Sequence, residues 1–260
     1  MILTDTHTHL YLDSFDSDRK QVVERAIGDG INFFLLPNID SHTVNPMLEL
    51  CKSFPENVFP MMGLHPTDVK ENYREELTNV RMCLENEKFY AIGETGIDLY
   101  WDKTFVAEQN IALRAQIDLA KKHKLPIVLH SRESFKEIFE IIEDTIDDDL
   151  TGVFHCFTGN LNDAERIIDW GFKLGIGGVL TFKNSGLDDV VSQIDMEHII
   201  LETDAPFLAP KPYRGKRNES AYIKIIAEKL AEIKNLSIED VAQITTANAI
   251  GLFKFPANHK

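Results

Sequence analysis

Short apolar runs of β character recur along this 260-residue chain, most of them followed by an amphipathic helical stretch. They fall near residues 2–6, 31–36, 58–63, 90–94, 126–129, 152–155, 172–176 and 198–202. Strand then helix, many times over, requires parallel strands joined by helical crossovers. Eight such units in about 250 residues suggest a sheet closed on itself, so the expected fold is α/β, a single-domain (β/α)8 barrel of the TIM type. The domain is expected to span 1–260, with a loose tail from about 254 to 260. In "DRKQVVERAIGDG", Val22, Val23, Ala26 and Ile27 share one face, and Gly28 or Gly30 provides the stop. The longest helical stretch, "FVAEQNIALRAQIDLAKKHK", carries Phe105, Ile111, Leu113, Ile117 and Leu119, with basic residues in its last turn as the helix dipole favours. Ser237, followed three residues later by Asp240, is the expected N-cap of the last helix.

The ends of these runs carry the chemistry. His7 and His9 end the first, Glu94 the fourth, His130 the fifth, His155 the sixth and Asp204 the last. Residues two apart on a strand point the same way, so the rings of His7 and His9 can face one cation. One ligand per strand end describes a metal centre at the C-terminal mouth of a barrel. Imidazoles with carboxylates suit a divalent cation such as zinc, manganese or iron, with magnesium a further candidate. Four histidines and two carboxylates exceed a closed tetrahedral site. They fit two ions sharing Glu94, an arrangement suited to phosphoester displacement. Glu202 and Asp5 each lie two residues before a ligand candidate. Glu202 is read as a partner that orients a ligand histidine, and Asp5 as an inward buried acid.

Net charge is −15. This argues against non-specific coating of duplex DNA, which depends on Lys and Arg at many phosphates, but not against a nucleic-acid end held at a local, cation-bearing site. The basic cluster Lys211, Arg214, Lys216 and Arg217 follows the last ligand-bearing run and is a candidate for phosphate contact, as is Arg132 directly after His130. Cys51, Cys83 and Cys156 form no paired framework, which points to a reduced, cytoplasmic setting. Cys156, beside His155, is expected on the opposite face as a packed thiol. No apolar run is long enough to span a bilayer, and no membrane partner is expected. There is no dinucleotide fingerprint and no P-loop. "GIGGV" at 175–179 is read as a tight strand end near the mouth.

The motifs "DTHTHL" (5–10), "GLHP" (63–66), "AIGETGIDLYWD" (91–102), "LPIVLHSR" (125–132), "FHCFTG" (154–159), "LETDAPFLAP" (201–210) and "RGKRNES" (214–220), in this order, cover nearly the whole chain. In them the chain resembles the TatD-related metal-dependent deoxyribonucleases of the amidohydrolase superfamily. The resemblance implies a TIM-type barrel, two divalent ions and phosphodiester hydrolysis, often 3′→5′ exonuclease action on DNA. It implies His7, His9, Glu94 and Asp204 as ligands of one ion, and Glu94, His130 and His155 as ligands of the other. His65, in "GLHP", is implied at the scissile phosphate. Ser220 stands where the family usually has proline, which predicts a looser loop before the helix. Glu94 stands where many superfamily members carry a carboxylated lysine.

The expected substrate is therefore DNA, as single strands or 3′ ends, with Asp204 as general base and His65 and Arg132 at the phosphate. Tyr100, Trp101, Phe157 and Phe207 are expected in mouth loops, where rings can stack on bases. Two other readings remain open: a small-molecule amidohydrolase or lactonase on the same barrel, and a metal-stabilised scaffold protein of a nuclease complex. The residues leave the oligomeric state open, a monomer included.

Overall fold

Eight parallel strands alternate with helices in the computed structural model, which describes residues 1–256. The strands are β1 (Leu3–Asp5), β2 (Ile31–Pro37), β3 (Val58–Met61), β4 (Ile92–Asp98), β5 (Ile127–Arg132), β6 (Gly152–Phe154), β7 (Lys173–Ile176) and β8 (Ile199–Leu201). The helices are α1 (Arg19–Gly28), α2 (Val44–Ser53), α3 (Tyr73–Asn86), α4 (Val106–His123), α5 (Phe135–Thr145), α6 (Leu161–Asp169), α7 (Leu187–Gln193), α8 (Ile223–Lys234) and α9 (Ile238–Phe253). Ladders join β1–β2–β3 and β4 through β8 in sequence order. Two seams complete the ring. Between β3 and β4, Met62 N–H donates to Ala91 O at 3.0 Å and Gly93 N–H to Met62 O at 2.9 Å. Between β8 and β1, Thr6 N–H donates to Leu201 O at 3.0 Å and Asp204 N–H to His7 O at 2.9 Å. The second seam matters for function, because it sets the His7–His9 segment beside Asp204.

Strand alternation sorts the apolar side chains into two cores. Phe34, Leu36, Ile92, Ile127, Leu129 and Phe154 pack outward against the helices. Phe33, Leu35, Phe59, Met61, Val128, Val153 and Ile200 form a second cluster with Ala249 and Phe253 of α9, which plugs the barrel at the end away from the strand C-termini. Each side chain fully buried in this way contributes about 1.5–3 kcal/mol. Phe255, which the sequence reading placed in the tail, is buried in the same cluster, 5.0 Å from both Phe33 and Phe59. Residues 257–260 of that expected tail lie outside the described residues.

Local signals act as expected at several ends. Gly30, at φ +92°, turns the chain after α1, and Ser237 Oγ accepts from Asp240 N–H at 3.0 Å to cap α9. On α4, Leu113, Ile117 and Leu119 are buried, whereas Ile111 is half exposed. Among the described residues no helix is long and apolar enough to cross a membrane.

Candidate metal centre

The strand C-termini converge on Glu94, whose side chain is 3% exposed. Its two oxygens face two different groups of donors. Oε2 lies 3.0 Å from His7 Nε2 and 3.4 Å from His9 Nε2. Asp204 Oδ1 completes that side, 3.5 Å from His9 Nε2 and 3.9 Å from His7 Nε2. Oε1 lies 2.8 Å from His130 Nδ1, 3.1 Å from His155 Nε2 and 3.3 Å from His65 Nε2. Nitrogen and oxygen ligands about 2.1 Å from a divalent ion sit about 3–3.5 Å from one another, and all but the His130 and His7–Asp204 contacts fall in that range. All six expected ligands are brought together.

Outer contacts set which ring nitrogen keeps its lone pair. Tyr11 donates its hydroxyl to Pro37 O at 2.5 Å, so it accepts from His9 Nδ1 at 3.0 Å and leaves Nε2 free to ligate. Glu202 Oε1 accepts from His155 Nδ1–H at 3.2 Å and from Cys156 N–H at 2.5 Å. Asp98 Oδ2 does the same for His130 at Nε2, 2.9 Å away. In each case a fixed acceptor holds the far nitrogen and leaves the inner one for a cation. His65 turns Nε2 toward the centre, while its Nδ1 lies 2.7 Å from Thr67 Oγ1 and 3.2 Å from Thr67 N.

The charge balance favours a cation. Burial would raise the pKa of Glu94, but the surrounding imidazoles outweigh it and hold the carboxyl well below its usual range. Burial would lower His9, but hydrogen bonds to Asp204 and Glu94 outweigh it and lift the ring to about 9. His155 is likewise pushed well above its usual value, mainly by Glu94 and Glu202 working against burial. The carboxylates thus require positive charge beside them, supplied by ring protons or by a metal ion that displaces them. His7 Nδ1 is the one buried side-chain polar atom without a partner among the described residues, so this ring is held at Nε2 alone. The ring lies flat on His155, 3.7 Å between centroids, where two imidazolium ions would repel and two neutral ligands would not. The donor set therefore fits divalent cations.

A mouth of about 870 Å³ opens over the cluster, lined in part by His65, Trp101, Arg132, Phe207, Arg214 and Lys216. The Arg132 guanidinium lies 3.9 Å from the Tyr100 ring centre and 5.2 Å from that of Trp101. It makes no ion pair among the described residues, which leaves its charge available to a phosphate. Arg214 lies over Phe182 at 4.5 Å. Tyr100, Trp101 and Phe207 are each half exposed or more.

Four expectations need correction. Arg217 does not serve the mouth: it makes a paired contact with Asp18 at 2.8 and 2.6 Å and donates to Ser14 O. Phe157 is buried in the outer core beside Phe135, not in a mouth loop. Cys156 lines the mouth, because the strand ends at Phe154 and Cys156 sits at φ +46°, where alternation no longer applies. Burial pushes its thiol up to about 12, so it is not a thiolate at neutral pH. Ser220 does not loosen its loop: it is fully buried, with Oγ 3.2 Å from Thr8 Oγ1. Asp5 is inward and buried, but it serves the β8–β1 seam by accepting from Thr203 N–H and Oγ1–H at 2.9 and 2.6 Å.

Asp98 and Tyr11 were not identified from the sequence. Asp98 had a legible signal, since it lies four residues after Glu94 on one strand and so faces the same way. Tyr11 had none. Two glycines of "GIGGV" face close neighbours: a Cβ at Gly175 would lie 2.3 Å from Glu202 Oε2, and one at Gly178 would lie 2.1 Å from Leu208 O. Gly175→Ala is expected to destabilise the fold by about 1–3 kcal/mol, as overpacking does, and to weaken metal binding by dislodging Glu202. Thermal melts with and without Mn²⁺ test this. A normal melt with normal metal affinity would show that the loop absorbs the extra atom.

The family model for TatD-related DNases matches residues 4–254. The uncharacterized metal-dependent hydrolase YabD of Bacillus subtilis (strain 168) is 37% identical over 254 residues, covering 97% of this chain and 99% of that protein. The uncharacterized metal-dependent hydrolase YcfH of Escherichia coli (strain K12) is 30% identical over 262 residues, covering 99% and 98%. The crystal structure of YJJV, a TatD homolog from Escherichia coli K12, aligns with a TM-score of 0.92 at 28% identity over 98% of each chain.

Proposed function

Because the chain belongs to the TatD-related DNase family and is a metal-dependent hydrolase, we propose that it hydrolyses phosphodiester bonds of DNA, releasing nucleotides from single-stranded 3′ ends with two divalent ions. The observation that carries this reading is the division of donors between the two oxygens of Glu94. His7, His9 and Asp204 would hold one ion on the Oε2 side, and His130 and His155 the other on the Oε1 side. The ions, once bound, supply Lewis acidity and lower the pKa of water toward about 7.

The chain's own residues do the rest. Asp204, ionised and facing the mouth, takes a proton from the attacking water. His65, with Nε2 turned to the centre, would donate from that nitrogen to a non-bridging phosphate oxygen or to the leaving 3′ oxygen. Arg132, Arg214 and Lys216 hold phosphates along the strand. Tyr100 and Trp101 offer exposed faces for unpaired bases, each stack worth about 1–3 kcal/mol. Three free thiols accord with a cytoplasmic location.

The test is a 5′-labelled single-stranded oligonucleotide incubated with Mg²⁺ or Mn²⁺, with and without chelator. A ladder shortening from the 3′ end, abolished by chelator, is expected. No cleavage by metal-loaded protein, together with turnover of a lactone or small ester, would replace the nuclease reading with the lactonase one. Chelation is also expected to lower the melting temperature. Each ion at a hundred times its Kd stabilises by about 2.7 kcal/mol, and a melt unmoved by chelator would argue against a resident cation.

A further inference from the structure

Asp98 ends β4 with its side chain 1% exposed. Its two oxygens have different partners. Oδ2 lies 2.9 Å from His130 Nε2. Oδ1 accepts from Tyr100 N–H at 2.9 Å and from Trp101 N–H at 3.1 Å. The Asp98 N–H donates to Gln109 Oε1 at 3.0 Å, which fastens the end of β4 to α4. Tyr100 and Trp101 are the rings on which Arg132 lies. One buried carboxylate therefore touches both a member of the Glu94 cluster and the aromatic wall of the mouth.

We infer that Asp98 is a positioning residue for both: it keeps the His130 proton on Nε2, so that Nδ1 can ligate, and it holds the Tyr100–Trp101 wall in place for an unpaired base. An ionised carboxylate only accepts hydrogen bonds, so the ring nitrogen facing it must carry the proton. The two amides at Oδ1 can only donate, so that oxygen is held as an acceptor. A carboxylate whose only task was to close the turn into Tyr100 and Trp101 would use Oδ1 alone. Here the second oxygen is committed to His130. Ion occupancy on the Oε1 side of Glu94 and stacking at the mouth thus share one support. The inference rests on the function proposed above, but its metal half is measured without DNA.

Asp98→Asn separates the two tasks. Its amide oxygen can still accept from Tyr100 and Trp101, while its NH₂ opposes a proton on His130 Nε2 and drives it to Nδ1. Titration calorimetry of the metal-free chain with Mn²⁺ should show one of two ions bound about 10–100-fold more weakly in Asp98→Asn, and unchanged binding in Trp101→Ala. At saturating Mn²⁺, in an Asp204→Asn background that suppresses cleavage, anisotropy of a labelled single-stranded oligonucleotide should show about tenfold weaker binding for Asp98→Ala. Asp98→Asn should stay close to the parent. A third readout needs no variant: long-range ¹H–¹⁵N spectra of the Zn²⁺-loaded wild type should place the His130 proton on Nε2. Equal Mn²⁺ affinity of Asp98→Asn and wild type, or a proton on Nδ1 in the wild type, overturns the metal half. Undiminished oligonucleotide binding by Asp98→Ala overturns the wall half. Failure of the wild type to bind any oligonucleotide counts against the DNA reading instead, and leaves the Mn²⁺ and spectral results to decide the role of Asp98 at His130.

Discussion

Asp204→Asn is expected to lower turnover on single-stranded DNA by about 10²–10⁴-fold while most of the bound metal remains. The side chain is placed for this role. The segment from Thr203 to Phe207 turns at Asp204, which has φ +58°, and Asp204 N–H is anchored on His7 O at 2.9 Å. That turn leaves the carboxylate 15% exposed at the mouth, whereas Glu94 is sealed beneath it. Burial would raise its pKa, but the hydrogen bond to His9 and the charges of His155 and His7 outweigh this and keep it ionised at neutral pH. Asparagine matches its size and can offer one oxygen to a cation, yet it cannot take a proton. Measured at saturating Mn²⁺, the variant should therefore fail in kcat more than in metal content. Full activity there would remove Asp204 from the proton transfer and leave it a ligand only.

The second large effect concerns Glu94. Glu94→Ala is expected to remove at least one ion per chain and to bring cleavage to background. Both oxygens are engaged, one on the side of His7 and His9, the other on the side of His130 and His155. Alanine leaves those rings with no shared counter-charge, so protons on neighbouring imidazoles repel each other and compete with metal. His7 and His155, stacked at 3.7 Å, are the most affected pair. Elemental analysis after dialysis against Mn²⁺ reads the outcome. A metal count equal to wild type would refute Glu94 as the bridge.

The eight strands were legible because each lies in or beside a short apolar run, whose alternate members pack into one of two cores. The candidate ligands were legible because each sits where such a run stops. What spacing could not reveal was long-range pairing. Arg217 belongs to a basic cluster in sequence, yet it is neutralised by Asp18, 199 residues away. Tyr11 lies two residues from His9, but its role there depends on its hydrogen bond to Pro37 O, 26 residues away. Cys156 was misplaced because the alternation rule was carried beyond the end of β6, and Phe157 because the residues after that strand were read as an open mouth loop. Of the helices, α2, α3 and α7 had weaker signals. Pro46 lies in the first turn of α2, and α7 has only 7 residues.

The central claim is that one buried carboxylate divides two ions between two sets of side chains. A crystal soaked in Mn²⁺ and measured for anomalous scattering tests it most directly. Two peaks are predicted per chain, one beside Glu94 Oε2 among His7, His9 and Asp204, the other beside Oε1 with His130 and His155. A single peak, or peaks that leave either Glu94 oxygen without a metal neighbour, would contradict it.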